Sequence, residues 1–464
     1  MMPASYADAR SALQRYFSYP DFRPAQAPVI RSILAGADVL AVLPTGGGKS
    51  VCFQIPALLA PNATLVVSPL ISLMQDQVSG ARRHGIPAAA LHSGLSAAEA
   101  GAVLADAAEG RVKLVYTSPE RLPRAVRDLV ARGGAVDRLV VDEAHCISEW
   151  GHDFRREFRA IGTVRASLGW PQAVALTGSA TPGVQRDIVG VLELGRGGCR
   201  GSGARAVRAR VPVAIHLASF DRPNLWFGVR RVRDEPSRFA ALTAELQRHE
   251  TAIVYAPTRK STESLTLALR HAGYHAAPYH AGLEAETRAR MLDAFLEDRF
   301  DVIVATSAFG MGIDKPGVRR VVHWSMPPTP ESYYQEAGRA GRDGAPARCV
   351  LLLRRGDASL HRRQLDVTFP PRKLLDALWS GRQDPARVPP AVRESAERLR
   401  AELEPGEGRT DWSRIERRRG ATEARIRTMD RYGRTWRCRR RALLRYFGER
   451  LVRCGGCDRC RSPS

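Results

Sequence analysis

Residues 38–194 alternate in a steady rhythm: a short, continuously apolar run, a polar loop, then a stretch with helical spacing of its apolar positions. The runs at 39–43, 64–67, 113–116, 138–141 and 173–176 are of strand length and show no polar alternation. That pattern predicts strands buried on both faces of a parallel sheet. Ligands bind beyond the carboxyl ends of such strands, and each chemically suggestive string begins where one of these runs ends. Ahead of them, residues 1–17 mix Asp8, Arg10 and Arg15 with apolar positions and predict an amphipathic helix, without the apolar core of a signal peptide.

The rhythm breaks at 195–210, where five glycines and five arginines occur without an acid. This reads as a flexible basic loop or linker, equally suited to spacing and to contacting nucleic acid. The rhythm resumes with runs at 251–255, 301–305, 320–323 and 348–353. The fold class expected is therefore α/β, with parallel-sheet units over 1–194 and 211–353. A basic helical segment over 354–437 and a small cysteine-bearing module over 438–464 follow. Between Arg409 and Arg453 there are 16 arginines against five acids. Within that stretch, 411–434 fits either two short helices, as in a helix-turn-helix, or a helical spacer.

Charge sharpens the choice of partner. The formal net charge of the 464-residue chain is +23. Its isoelectric point is about 10.5. A chain this basic ordinarily meets a polyanion. Biased codon usage explains an excess of arginine over lysine but not the shortage of acids, so nucleic acid is the favoured partner. No apolar run is long enough to span a bilayer, and a cytoplasmic, nucleoid-associated protein with no membrane partner is expected.

Leu43-Pro-Thr-Gly-Gly-Gly-Lys-Ser50 follows a predicted strand and opens a predicted helix. Thr45, Gly46, Gly47 and Gly48 form a loop whose backbone N–H groups can approach phosphate oxygens, aided by the helix dipole. Lys49 is expected on the β- and γ-phosphates of ATP, and the Ser50 hydroxyl on Mg²⁺. The strict consensus has glycine where Leu43 stands. Asp142-Glu-Ala-His145 closes another strand: Asp142 suits Mg²⁺, usually through water, and Glu143 suits the polarisation of the attacking water. Alone, that acid pair also fits a helix cap; beside a phosphate loop, the hydrolytic reading prevails.

Four cysteines crowd the C-terminal stretch: Cys438, then Cys454, Cys457 and Cys460 at three-residue spacing. Four thiolates so placed suit tetrahedral zinc. A disulfide pair and an iron–sulfur cluster are the alternatives, the former disfavoured in a reducing compartment. Cys52, Cys146, Cys199 and Cys349 are scattered and read as buried bystanders.

Longer strings bring a resemblance into view. Phe22-Arg-Pro-Ala-Gln26, Ser68-Pro-Leu-Ile-Ser-Leu-Met-Gln-Asp-Gln77, Thr117-Ser-Pro-Glu-Arg-Leu122 and Asp142-Glu-Ala-His-Cys-Ile-Ser-Glu-Trp-Gly-His-Asp-Phe-Arg155 occur in order. Tyr255-Ala-Pro-Thr-Arg-Lys260, Ala305-Thr-Ser-Ala-Phe-Gly-Met-Gly-Ile-Asp-Lys315 and Tyr333-Tyr-Gln-Glu-Ala-Gly-Arg-Ala-Gly-Arg-Asp-Gly344 follow. Together with the cysteine cluster they resemble the motifs of RecQ-family DNA helicases in superfamily 2, from about Leu13 to Cys460. The resemblance implies two RecA-like domains and a structural zinc module. It also implies an ATP-driven, 3′-to-5′ motor on single-stranded DNA that unwinds tailed or branched duplexes in repair or recombination.

It further implies individual roles. Arg23 and Gln26 read the adenine, an amide being able to pair with N6 and N7. The loop Cys146 to Arg155, with Trp150, His152, Phe154 and Arg155, couples single-strand binding to hydrolysis; from the residues alone, stacking platform and core aromatics are equal readings. Thr306 contacts a DNA phosphate, and Asp314 and Lys315 sense the nucleotide. Gln335, Arg339 and Arg342 are spaced as on one helix face; a surface salt-bridge face also fits the arginines but does not explain the glycines at 338, 341 and 344. Planar guanidinium groups suit the transition-state charge on the γ-phosphate, which Arg339 or Arg342 would meet.

Departures from the family pattern temper these expectations. Thr177-Gly-Ser179 stands where the family shows Thr-Ala-Thr, leaving both hydroxyls but a freer backbone. Residues 370–434 do not visibly match. The chain stops at Ser464 without the winged-helix domain of many relatives, so weak unwinding is expected. An RNA helicase of the same superfamily, and a DNA-stimulated ATPase switch with little unwinding, are the rival readings.

Overall fold

The computed structural model describes residues 4–44, 46–151, 153–200, 207–310, 315–403 and 410–460. The chain divides into two units, Met1–Phe220 and Asp221–Ser464. In the first, the apolar runs form β1 (Asp38–Val42), β2 (Ala63–Val67), β4 (Leu114–Thr117), β5 (Val136–Val141) and β6 (Gln172–Thr177), with β3 (Ala88–Leu91) added. A short antiparallel pair, β7 (Arg196–Arg200) and β8 (Val207–Arg210), precedes β9 (Val213–Leu217). The main sheet is parallel in the order β3-β4-β2-β5-β6-β1-β9. Consequently β5, β6 and β1 are neighbours, and the strings that follow them emerge side by side at one edge.

Two expectations are corrected here. The first unit does not end at 194. β9 pairs with β1 from Asp38↔Val213 to Val42↔Leu217, so 211–220 belong to the first sheet. Nor is 195–210 simply a loop, since its ends pair as β7 and β8; residues 201–206 lie outside the described residues. Asp38 anchors this closure. Its buried carboxylate accepts from Arg165 at 2.7 and 2.8 Å and from the backbone N–H of Ala173 and Gly195, both at 2.8 Å. The fully buried Arg165 also donates to the carbonyls of Leu192, Glu193 and Arg196.

The second unit holds β10 (Leu225–Val232), β11 (Ala252–Tyr255), β12 (Ala276–Tyr279), β13 (Val302–Ala305), β14 (Arg320–His323) and β15 (Ala347–Arg354). They form a parallel sheet in the order β10-β15-β14-β11-β13-β12. Among the described residues, five α-helices of this unit lie beyond β15. The stretch expected as two short helices or a spacer is one 23-residue helix, Trp412–Arg434. It buries Ile415, Ile426, Met429 and Tyr432, and the Tyr432 ring packs 5.1 Å from Tyr333. No proline interrupts that apolar stripe and Gly420 stays helical within it, which is why it remains one helix. Among the described residues, no helix is long and apolar enough to cross a membrane.

Candidate nucleotide site and zinc centre

The phosphate loop leaves β1 through the buried Leu43, whose N–H continues the ladder to the carbonyl of Thr177 at 3.0 Å. A core role for Leu43 accounts for its place in the consensus glycine position. Thr45 lies outside the described residues. Gly48 has φ +71°, a backbone conformation that favours glycine, and a Cβ there would stand 2.3 Å from the Gln26 amide nitrogen and push that side chain away. Gln26 Nε2 donates to the carbonyls of Gly48 at 3.0 Å and Gly47 at 3.3 Å, its Oε1 accepts from the Arg23 N–H, and the Arg23 guanidinium donates to the Gly46 carbonyl. The two residues expected to read adenine thus brace the loop. Ser50 caps the helix Val51–Leu58 without a side-chain capping bond, which leaves its hydroxyl available to a cation.

Beyond β5, Glu143 adopts a left-handed backbone, φ +48°, a conformation costing about 1–3 kcal/mol where the surroundings impose it. Its carboxylate lies between two basic groups: Lys49 Nζ at 3.7 Å and His145 Nδ1 at 3.3 Å. His145 Nδ1 also lies 3.0 Å from the Thr177 hydroxyl, which accepts from the Ser179 N–H at 3.3 Å. A polar chain therefore runs from Lys49 through Glu143 and His145 to Thr177 and Ser179. Asp142 is buried beside it. Burial first, then the Glu143 charge, raise its carboxyl to about 6 against the pull of Lys49. A divalent cation at that carboxylate and the Ser50 hydroxyl would relieve this burial, so the donors fit Mg²⁺.

The loop after His145 is closed by Arg155 N–H to the Cys146 carbonyl at 3.0 Å. A Cβ at Gly151 would meet the His145 carbonyl at 2.6 Å, so glycine permits the tight return. Trp150 is 43% exposed, Phe154 half-buried. Arg155 turns inward to the Pro69 carbonyl and lies 3.6 Å from Asp153, bracing the loop. His152 lies outside the described residues.

In the second unit, Thr306 follows β13 and bonds through its N–H to the Tyr279 carbonyl at 3.2 Å. Lys315 is engaged by the Leu296 carbonyl and Asp298, at 3.0 and 2.7 Å. Asp314 lies outside the described residues. The shared helix face expected for Gln335, Arg339 and Arg342 is corrected. The helix Pro330–Ala337 ends at Gly338, and both arginines sit in the turns that follow. Arg339 is buried against the Tyr255 hydroxyl. Sequence reasoning missed what holds this loop. Arg222 donates to the carbonyls of Gly338, Ala340 and Gly341, and Asn224 to those of Gly341 and Ala345.

The sulfurs of Cys438, Cys454, Cys457 and Cys460 lie within 4.8 Å of one another. Cys438 and Cys457 are 3.9 Å apart. With Zn–S bonds of about 2.3 Å, tetrahedral geometry needs sulfurs roughly 3.8 Å apart, so the set fits zinc. Burial opposes a thiolate at Cys457, but backbone N–H groups of Arg459, Arg439 and Cys460 outweigh it and lower the thiol to about 7. The loop docks on β10 through Asp458, which accepts from Val229 N–H at 3.2 Å and from Arg439 at 2.9 Å.

Family models match three stretches of the chain. A DEAD/DEAH box helicase model matches 23–188, a helicase conserved C-terminal domain model 237–344, and a RecQ zinc-binding model 397–461. A probable ATP-dependent DNA helicase RecS of Bacillus subtilis is 40% identical over 365 residues, covering 77% of this chain and 69% of the relative. The chain belongs to the RecQ family of helicases. ATP-dependent DNA helicase RecQ of Haemophilus influenzae is 35% identical over 457 residues, and the chain, matched over 98% of its own length, spans 64% of that relative. The RecQ zinc-binding match begins at 397, which corrects the reading of 370–434 as unlike the family for all but its first part. Among solved structures, Mss116p bound to ssRNA and AMP-PNP superposes with TM-score 0.60 at 18% identity, over 90% of this chain and 89% of that one, and supports the two RecA-like sheets.

Proposed function

We propose that this chain is an ATP-dependent DNA helicase or translocase of the RecQ type, moving 3′ to 5′ on single-stranded DNA during repair or recombination at the nucleoid. The observation that carries the reading is Glu143 held between Lys49 and His145, with His145 bonded to Thr177. Lys49 binds the β- and γ-phosphates, and Glu143 orients and deprotonates the attacking water. Ser50 and Asp142 would hold Mg²⁺, which when bound would offset the charge of the phosphates. Gln26 exchanges its hold on Gly47 and Gly48 for the adenine edge, so base recognition and loop release are one event. Arg339 and Arg342 answer the charge on the γ-phosphate. Trp150 and Phe154 stack on unpaired bases, and Thr306 meets a phosphate. His145 and Thr177 are the route by which strand binding reaches Glu143. Cys438, Cys454, Cys457 and Cys460 hold a structural zinc.

ATPase stimulation by single-stranded DNA against single-stranded RNA of the same length tests the choice of nucleic acid. Stronger stimulation by DNA is expected; stronger stimulation by RNA would overturn it.

A further inference from the structure

One concentration of aromatic and cationic side chains in the second unit belongs to neither site. Trp436 lies between the helix Trp412–Arg434 and Cys438 and is 73% exposed. Two guanidinium groups approach its ring: Arg231 from β10 at 4.8 Å from the centroid, and Arg459 from the zinc loop at 4.5 Å. Arg231 is fixed by its donation to the Arg434 carbonyl at 2.7 Å. With Arg355, Arg434, Val232 and Leu353, Arg231 and Trp436 line a cavity of about 330 Å³.

The charge here is only partly balanced. Asp430 pairs with Arg434 at 2.8 Å. Asp458 lies 3.9 Å from Arg459 and is held more closely by Arg439, at 2.9 Å. Among the described residues, no carboxylate pairs with Arg231 or Arg355. A large indole left mostly in solvent, steadied by arginines and opening on a partly apolar hollow, matches an unpaired nucleobase with its phosphates. Every base offers a π-face to an indole, and guanidinium groups take phosphate oxygens in a fixed fork. A paired duplex hides its π-faces.

We propose that Trp436, with Arg231, Arg355 and Arg459, forms a second single-strand contact on the zinc side of this unit. One unpaired base stacks on Trp436 while flanking phosphates meet the arginines. The inference rests on the reading of the chain as a single-strand translocase and adds a site to it. Zinc then has a role in strand binding as well as in folding, because it fixes Arg459, between two ligands, and Trp436, two residues before a third.

The test uses the zinc-loaded full chain and an oligothymidylate carrying 5-iodouracil. Photo-crosslinked peptides are mapped, and affinities of wild type, Trp436→Leu, Trp436→Phe and Arg355→Ala are measured across a salt series, with ATPase on the same samples. A crosslink at Trp436 is expected. Trp436→Leu should raise the Kd about tenfold, within the range for one stacked base, and Trp436→Phe much less. Arg355→Ala should reduce the slope of log K against log salt by about 0.7. No crosslink at Trp436, with leucine binding as wild type while DNA still stimulates ATPase, overturns the contact and leaves the translocase reading intact. Equal loss of affinity for a blunt duplex overturns the stacking. Failure of wild type to bind or respond to DNA overturns both readings.

Discussion

Arg440, two residues past the zinc ligand Cys438, donates to the carbonyl oxygen of Arg222 at 2.9 Å. Arg440 is buried and also reaches Asp221 and the carbonyl of Leu225. Arg222 in turn holds Gly338, Ala340 and Gly341, the backbone on which Arg339 and Arg342 are carried. The zinc module and the arginine loop are thus joined through a short segment at the entry to β10.

Arg222→Ala should therefore displace the arginine loop without touching the phosphate loop. A misplacement of about 1 Å can cost about 10²-fold in rate, so losing the three bonds that hold the loop should lower kcat for ATP hydrolysis by at least about tenfold. The KM for ATP should move little. Steady-state ATPase kinetics check this, and an unchanged kcat would separate Arg222 from catalysis.

Glu143→Gln keeps the shape beside Lys49 and His145 but removes the base. Nucleotide binding, followed with a fluorescent ATP analogue, should persist. Turnover should fall by about 10²–10⁴, the usual contribution of a general base. Retained turnover would assign the water to another residue.

Zinc removal should act at two distances. Chelation, or Cys457→Ser, should abolish bound zinc and lower the thermal midpoint, because metal-binding energy is folding energy in such modules. It should also lower kcat, since Arg440 and Arg222 lose their footing. Zinc content, melting and ATPase measured on one sample check the pair. Loss of zinc with full ATPase would break the proposed linkage.

Arg165→Ala leaves the Asp38 carboxylate buried without its cation. Breaking a buried pair in this way costs about 3–5 kcal/mol. Urea unfolding should show that loss, and nucleotide affinity should stay unchanged if the sheet still forms. A change below about 1 kcal/mol, the ordinary value of a surface pair, would contradict the anchoring role.

The legible and the illegible parts of the sequence divide along a physical line. Every interior strand of both sheets is legible, because burial on both faces writes an unbroken apolar run. The four edges, β3, β9, β10 and β12, are not. Ala88-Ala-Ala-Leu91 and Ala276-Ala-Pro-Tyr279 have weak strand preference, and Pro278 is tolerated at an edge. β9 leaves Val213, Ile215 and Leu217 exposed and follows a basic loop. The phosphate loop, the acid pair and the cysteines are visible because each chemistry fixes residue type and spacing. Arg222, Asn224 and Arg440 are invisible because they act mainly on backbone carbonyls, which leave no side-chain signature. The turn that carries Arg339 and Arg342 reads as helix because their spacing is helical, while Gly338 ends the helix before them.

The central claim, that the Lys49–Glu143–His145–Thr177 chain drives strand movement, is tested most directly by displacement of a labelled strand from a 3′-tailed duplex. Zinc-loaded wild type with Mg-ATP should release the strand, and Glu143→Gln on the same substrate should bind it and release none. Displacement by Glu143→Gln, or none by a wild type that hydrolyses ATP on DNA, would contradict the account.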